Sequence, residues 1–101
     1  MAKKSSIEKN KSRIKKVKSN MEKRSKLKDI LKDKSLSQED RFNASIKLAA
    51  LPRDGSKTRI RNRCELSGRP RGFYRRVRLS RIALRQFAAS GQIPGMTKAS
   101  W

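Results

Sequence analysis

The chain has no histidine, a single cysteine and eight acidic residues among 101. Each shortage excludes something. Without histidine, acid–base chemistry near neutral pH falls to a perturbed carboxylate or lysine. The acids are scattered or sit at helix starts, so no paired-carboxylate centre stands out. Cys64 alone cannot form an internal disulfide, and nothing points to a secreted scaffold. Cationic neighbours favour its thiolate, but no imidazole can serve as its base, so it reads as a small semi-buried thiol. No apolar run approaches the ~20 residues of a membrane span. The first residues, Met1-Ala2-Lys3-Lys4-Ser5-Ser6, lack an apolar signal core, and Glu8 and Glu22 do not suit an organellar transit peptide. These absences predict a soluble cytoplasmic protein that is not an enzyme, with no cofactor, small-molecule substrate or membrane partner.

What the chain has is positive charge. Lysine and arginine number 29, which gives a net charge of +21, while only 34% of residues are hydrophobic. That charge is too one-signed for an ordinary globular domain. So few apolar side chains offset the chain entropy poorly, which predicts partial disorder until a partner binds. The cations are also sorted by type. Residues 1–34 hold twelve lysines and two arginines; residues 35–101 hold three lysines and twelve arginines. Lysine is a hydrated point charge, whereas arginine grips phosphate with a planar fork and stacks on bases. The first part reads as an electrostatic arm, the second as the seat of defined contacts. Ten arginines fall within residues 59–85, with Glu65 the one acid among them. Nucleic acid supplies negative charge at the density such a segment needs.

Residues 1–52 read as a basic helical arm of two helices, and 53–101 as an arginine-rich module. Ser5-Ser6-Ile7-Glu8 has the form of a capping box and predicts a helix start. Ile7, Ile14, Val17, Met21, Leu27, Ile30 and Leu31 give a narrow seam interrupted at Arg24 and Lys28, with a bend predicted near Ser19-Asn20. That seam is too thin, and too poor in aromatics, for a membrane-surface helix. A break at Asp33-Lys34-Ser35 precedes a second helix opened by Ser37-Gln38-Glu39-Asp40. Its two apolar stripes, Phe42/Ile46/Ala49 and Ala44/Leu48/Leu51, predict an αα-hairpin with the first helix. Pro52 ends it, and Pro52-Arg53-Asp54-Gly55-Ser56 reads as a linker. From Lys57 to Leu79 no helical period exists; an extended backbone would set Lys57, Arg59, Arg61 and Arg63 on one side. Gly68-Arg69-Pro70-Arg71-Gly72 is turn chemistry, Phe73-Tyr74 a short strand, and Ser80 the cap of a third helix that stops at Gly91. The fold class is mainly α with irregular extended segments.

Cys64, Ser67, Ser80 and Ala83 stand at the spacing of a four-thiolate zinc site. Three of its four ligands are missing, so no structural metal is predicted. The runs Arg63-Cys64-Glu65-Leu66-Ser67-Gly68-Arg69-Pro70-Arg71-Gly72, Leu79-Ser80-Arg81-Ile82-Ala83-Leu84-Arg85, Ile93-Pro94-Gly95 and Lys98-Ala99-Ser100-Trp101 closely resemble the bacterial family of the fourteenth small-subunit ribosomal protein. Leu51-Pro52-Arg53-Asp54 resembles that family's linker. The resemblance implies its longer, zinc-free branch, with a metal-free zinc-ribbon-like C-terminal module carrying one helix. It also implies a structural constituent of the ribosome; the first residues lean toward a bacterial one, with an organellar ribosome the alternative. Such a protein binds small-subunit rRNA in the 3′ major domain, supports assembly and conformation of the head, and has the third, tenth and nineteenth small-subunit proteins as neighbours. Arg76-Val77-Arg78-Leu79 departs from the family's Lys-Phe-Gly-Leu-like run, so the freedom of that glycine is lost at Arg78.

The rRNA-binding candidates are Arg59, Arg61, Arg63, Arg69, Arg71, Phe73, Tyr74, Arg75, Arg76, Arg78, Arg81, Arg85, Lys98 and Trp101. Phe73 or Tyr74 could stack on a base, though at least one of them should pack the small core. The rival reading is a non-specific, chromatin-like basic protein; the Gly-Arg-Pro-Arg-Gly turn argues against it, since charge neutralisation alone requires no such turn. No reader of a DNA groove is evident. Protein purified and washed with chelator is expected to hold no zinc by metal analysis; a near-stoichiometric content would overturn the metal-free assignment.

Overall fold

The computed structural model describes residues 2–99. Three helices dominate: α1 (Lys4–Lys32), α2 (Gln38–Ala50) and α3 (Arg81–Ala89). A two-residue hairpin, β1 (Phe73–Tyr74) and β2 (Leu79–Ser80), precedes α3. The chain forms two compact units, Lys9–Ile60 and the described residues of Met1–Glu8 with Arg61–Trp101. This grouping differs from a division at residue 52. Residues 53–60 belong with the helices because Asp54 is tied to α1. The first residues belong with the C-terminal module because Ile7 packs on Gly68.

In the helical unit, α1 starts at Lys4, so Ser5 lies within its first turn instead of capping it. The helix continues through Ser19-Asn20 as one element. Both side chains bond the carbonyl of Lys16 at 3.0 and 2.9 Å without interrupting it. From Asn10 to Leu31 the shielded positions are Asn10, Arg13, Val17, Asn20, Arg24, Leu27 and Leu31, and every residue between them is exposed. These steps of three and four are the coiled-coil seam. Four of the seven are polar, which is why a search for apolar residues alone finds a broken stripe. Arg24 continues the seam with its aliphatic stem. Ile14, Met21 and Ile30 face outward.

Asp33 closes α1 by accepting hydrogen bonds from the Ser35 hydroxyl at 2.6 Å and the Ser35 N–H at 3.0 Å. Those bonds hold its carboxyl below the usual range. Ser37 then caps α2, its hydroxyl accepting from the Asp40 N–H, an arrangement that contributes about 1 kcal/mol. The shielded residues of α2 are Arg41, Ala44 and Leu48, and its C-cap Leu51 continues the steps of three and four. Of the two predicted stripes only this one packs; Phe42 is 67% and Ile46 53% exposed. Arg41 Nη2 donates to the carbonyl of Leu31 at 3.2 Å, near the end of α1. Past the end of α2, Gly55 lies against Asn20, and Asp54 pairs with Arg13 and Lys16. α2 therefore returns antiparallel along α1. Pro52 ends it, and two 3₁₀ turns follow, Arg53–Gly55 and Lys57–Arg59. The second corrects the extended backbone expected from Lys57 onward. Asp54 bonds Arg59 at 2.8 Å, and the Ser56 and Thr58 hydroxyls bond each other at 2.9 Å, which coils the segment.

In the C-terminal unit, the Gly68 N–H bonds the Cys64 carbonyl at 2.9 Å and the Cys64 N–H bonds the Arg69 carbonyl at 3.0 Å, closing a tight turn. Gly68 has φ +73°, and a Cβ there would meet Ile7 Cδ1 at 2.6 Å. Only glycine allows both the turn and the contact. The hairpin pairs Phe73 with Ser80 and Tyr74 with Leu79. Ser80, 1% exposed, caps α3 through a hydrogen bond from the Ala83 N–H. At the other end the Gly91 N–H bonds the Ala88 carbonyl and the Gln92 N–H bonds the Phe87 carbonyl. With Gly91 at φ +74° this is the Schellman stop that its position predicts.

Arg78 adopts φ +57°, the one non-glycine residue with positive φ among those described. Its N–H bonds the Tyr74 carbonyl at 2.7 Å, and its carbonyl accepts from the Glu65 N–H at 3.3 Å. Both bonds require this conformation, which costs a non-glycine residue about 1–2 kcal/mol. The Arg78–Glu65 ion pair, at 3.2 Å, is largely exposed and offsets little. Arg78→Gly is expected to raise stability by about 1 kcal/mol, a gain of several degrees in Tm. A lower Tm would show that the side chain outweighs the backbone strain.

Candidate nucleic-acid interface

The sequence places ten arginines between residues 59 and 85. The structure divides them by what their side chains already hold. Arg59 pairs with Asp54, and Arg78 with Glu65. Arg61 Nη2 donates to the Pro70 carbonyl at 3.2 Å, Arg63 Nη1 to the Gly68 carbonyl at 3.0 Å, and Arg69 Nε to the Arg71 carbonyl at 3.2 Å. The first two of these lace the segment 61–63 to the turn 68–71, and the third braces the turn from within. They bond uncharged carbonyl oxygens, which the turn supplies where carboxylates are absent.

The side chains of Arg71, Arg75, Arg76, Arg81, Arg85 and Lys98 have no hydrogen bond or ion pair with a described residue, and all six are exposed. Arg75 and Arg76 lie on the hairpin connection. Arg71 lies on the turn before β1, and Arg81 and Arg85 are four apart on α3, hence on one face. No acidic residue occurs between Leu66 and Ala99. Phe73 is half-buried while its neighbour Tyr74 is 51% exposed, as alternation along a strand requires. Phe73 therefore takes the core role and Tyr74 the outward one. Trp101, also a candidate, lies outside the described residues.

Cys64 is 3% exposed, and Ser80 and Ala83 are buried as well. Burial pushes the Cys64 thiol up, but hydrogen bonds from the Ser67 hydroxyl and from the backbone at Ser67, Ser80 and Leu66 bring it down to about 6. Ser67 Oγ is buried with no other hydrogen-bond partner, so its proton is available to the sulfur. The donors that surround the sulfur are hydrogen-bond groups, not metal ligands. Among the described residues no three of His, Cys, Asp or Glu come together. Nor is any described helix long and apolar enough to cross a membrane. Sequence reasoning missed these sulfur contacts because the paired spacing draws attention to the missing thiolates, and backbone donors carry no sequence signature.

A surface of uncommitted cations stands on a scaffold held by carbonyl clamps, an arrangement suited to a structural protein that meets a polyanion. Comparison with known proteins specifies the class. The model of the family described as ribosomal protein S14p/S29e matches residues 47–100. Small ribosomal subunit protein uS14 of Rhodospirillum centenum is 61% identical over the whole of both chains. The proteins of that name from Brucella anthropi and Agrobacterium fabrum are each 60% identical, again over full length. The chain belongs to the ribosomal protein S14p/S29e family and is of the bacterial type.

The lowered thiol has a consequence for stability. The unfolded thiol titrates near 9.0 and the folded one near 6. The contribution is therefore fully present above pH 9 and is lost as pH falls toward 6. The stability advantage of the wild type over Cys64→Ser, measured by urea unfolding, is expected to widen between pH 6 and pH 9. A gap that stays constant over that range would show that the sulfur is not ionised in the fold.

Proposed function

We propose that this small-subunit ribosomal protein binds the 3′ major domain of the rRNA, in the head, and supports the head's assembly and conformation in the cytoplasmic ribosome. The single observation that carries the rRNA contact is the set of six exposed, uncommitted cations, Arg71, Arg75, Arg76, Arg81, Arg85 and Lys98, in a stretch without acids. Phosphates of folded RNA converge in irregular junctions, and a basic loop surface can follow them where a regular groove reader cannot. Arg59, Arg61, Arg63, Arg69 and Arg78 act behind them: they shape the loops and present their remaining N–H groups to the same backbone. The turn at 64–69, the hairpin and α3 serve as the metal-free counterpart of a zinc ribbon, held by packing, carbonyl clamps and RNA.

The helical arm has a second role. Residues 35–50 carry Arg41 and Lys47 against Glu39 and Asp40, so their formal charge is zero. Phe42 and Ile46 stand exposed on that stretch. An uncharged apolar stripe suits protein, not phosphate, and supports contact with neighbouring proteins, for which the third, tenth and nineteenth of the small subunit are the proposed partners. The lysines of α1 provide longer-range attraction to rRNA.

Affinity of the full chain for small-subunit rRNA is expected to fall steeply with salt. Replacing Arg71, Arg75 and Arg76 together by Ala should reduce the slope of log affinity against log salt by about 2–3 and leave the circular dichroism unchanged. An unchanged slope in that variant would remove these residues from the interface. Binding by the wild type that showed no salt dependence would remove the function.

A further inference from the structure

The C-terminal unit has an open cleft of about 490 Å³ between α3 and residues 96–99. A volume of this size lies in the range of roughly 300–1,000 Å³ typical of sites for small ligands. Leu84, Ala88, Ala89 and Met96 line it with apolar surface, and Tyr74 is part of the same lining. Arg81, Arg85 and Lys98 complete the lining, and none of the three is committed to a described partner. The Arg81 stem passes over Gly72, where an added Cβ would meet its Cγ at 3.2 Å. The Arg81 N–H also bonds the Gly72 carbonyl at 2.7 Å. The start of α3 is thus pinned to the turn before Tyr74, and aromatic and cations hold a fixed spacing.

We infer that this cleft receives one unpaired base of the rRNA, stacked against Tyr74, with its flanking phosphates on Arg81, Arg85 and Lys98. The inference rests on the rRNA-binding role proposed above and specifies one contact within it. The charge pattern selects the occupant. An apolar lining that includes an aromatic ring fits the face of a base. Three cations without a carboxylate fit the phosphates on either side of it. A neighbouring protein would fill an apolar cleft equally well, but its presence leaves three positive charges unmet. The base must be unpaired, because a stacked, paired base hides both faces. Phe73 cannot play this part, since it is half-buried on the opposite side of the strand.

The test uses the full chain and small-subunit rRNA, with base-specific chemical probing alongside affinity. Tyr74→Ala is expected to weaken binding roughly 10-fold while leaving the salt slope unchanged, because stacking releases no counterions. Tyr74→Phe is expected to bind as the wild type does. Ala88→Leu, which fills the cleft from α3, is expected to weaken binding as Tyr74→Ala does. One unpaired base should be protected by the wild type and exposed in both weakened variants. If the wild type binds with a steep salt slope and both variants match it, the cleft holds no base. Loss confined to association with neighbouring subunit proteins would assign the cleft to protein and likewise overturn the inference. Failure of the wild type to bind rRNA would instead overturn the function on which it rests.

Discussion

Self-repulsion is the constraint that the rest of this structure answers. Between residues 59 and 85 a single acid faces ten arginines, so beyond the pairs of Arg59 and Arg78 the segment cannot be folded by ion pairing. It is folded by guanidinium groups donating to peptide carbonyls, as Arg61 does to Pro70 and Arg63 to Gly68. A carbonyl carries no net charge and does not reduce the excess. It fixes geometry and leaves the field intact for a polyanion. The helical unit contrasts with this: Asp54 lies within 4 Å of Arg13, Lys16 and Arg59 and gathers them at one carboxylate.

The helices and their ends were legible because their signals are local. Ser37 and Ser80 cap as their side chains dictate, Pro52 stops α2, and Gly91 supplies the left-handed residue of a Schellman turn. The seam of α1 was less legible. Its repeat of three and four includes Asn10, Arg13, Asn20 and Arg24, and polarity hides them from a hydrophobic pattern. They suit the seam because a half-exposed interface between two helices lets long polar side chains bury their stems and keep their heads wet. For the same reason the sequence showed two apolar stripes on α2 but not which one would pack. That depends on where the partner helix returns, a tertiary fact.

The arginine-rich segment was legible in composition and not in geometry. Alternation of cations suggested an extended strand through Lys57–Arg59, and the ion pair of Arg59 with Asp54 coiled it instead. Propensity and spacing cannot foresee which of ten identical side chains will find a carbonyl. Arg78 is a different case. The departure from the family's glycine predicted a loop without that residue's freedom, yet Arg78 itself takes the positive φ, and its backbone bonds Tyr74 and Glu65. The turn around Cys64 follows the same logic. Where a metal would tie four side chains, the sulfur here is approached by N–H groups of the turn and the start of α3, and Ser80 takes part in both that contact and the helix cap.

The preference for arginine over lysine in this half follows from donor counting. A guanidinium has five N–H donors in a rigid fork, an ammonium three on one atom. Arg69 spends part of that fork on a carbonyl of its own chain, and the fork has further N–H groups besides that one. One side chain thus shapes the loop and presents charge from it. Lysine in the same place has three donors on one freely rotating atom, so it would hold the loop less rigidly than a planar fork does. On α1 no loop needs shaping, because the helix supplies its own backbone hydrogen bonds, and there lysine suffices. The sorting of cations along the chain, lysine first and arginine after, thus matches the division between a segment that folds by its own periodicity and one whose conformation depends on its charged side chains.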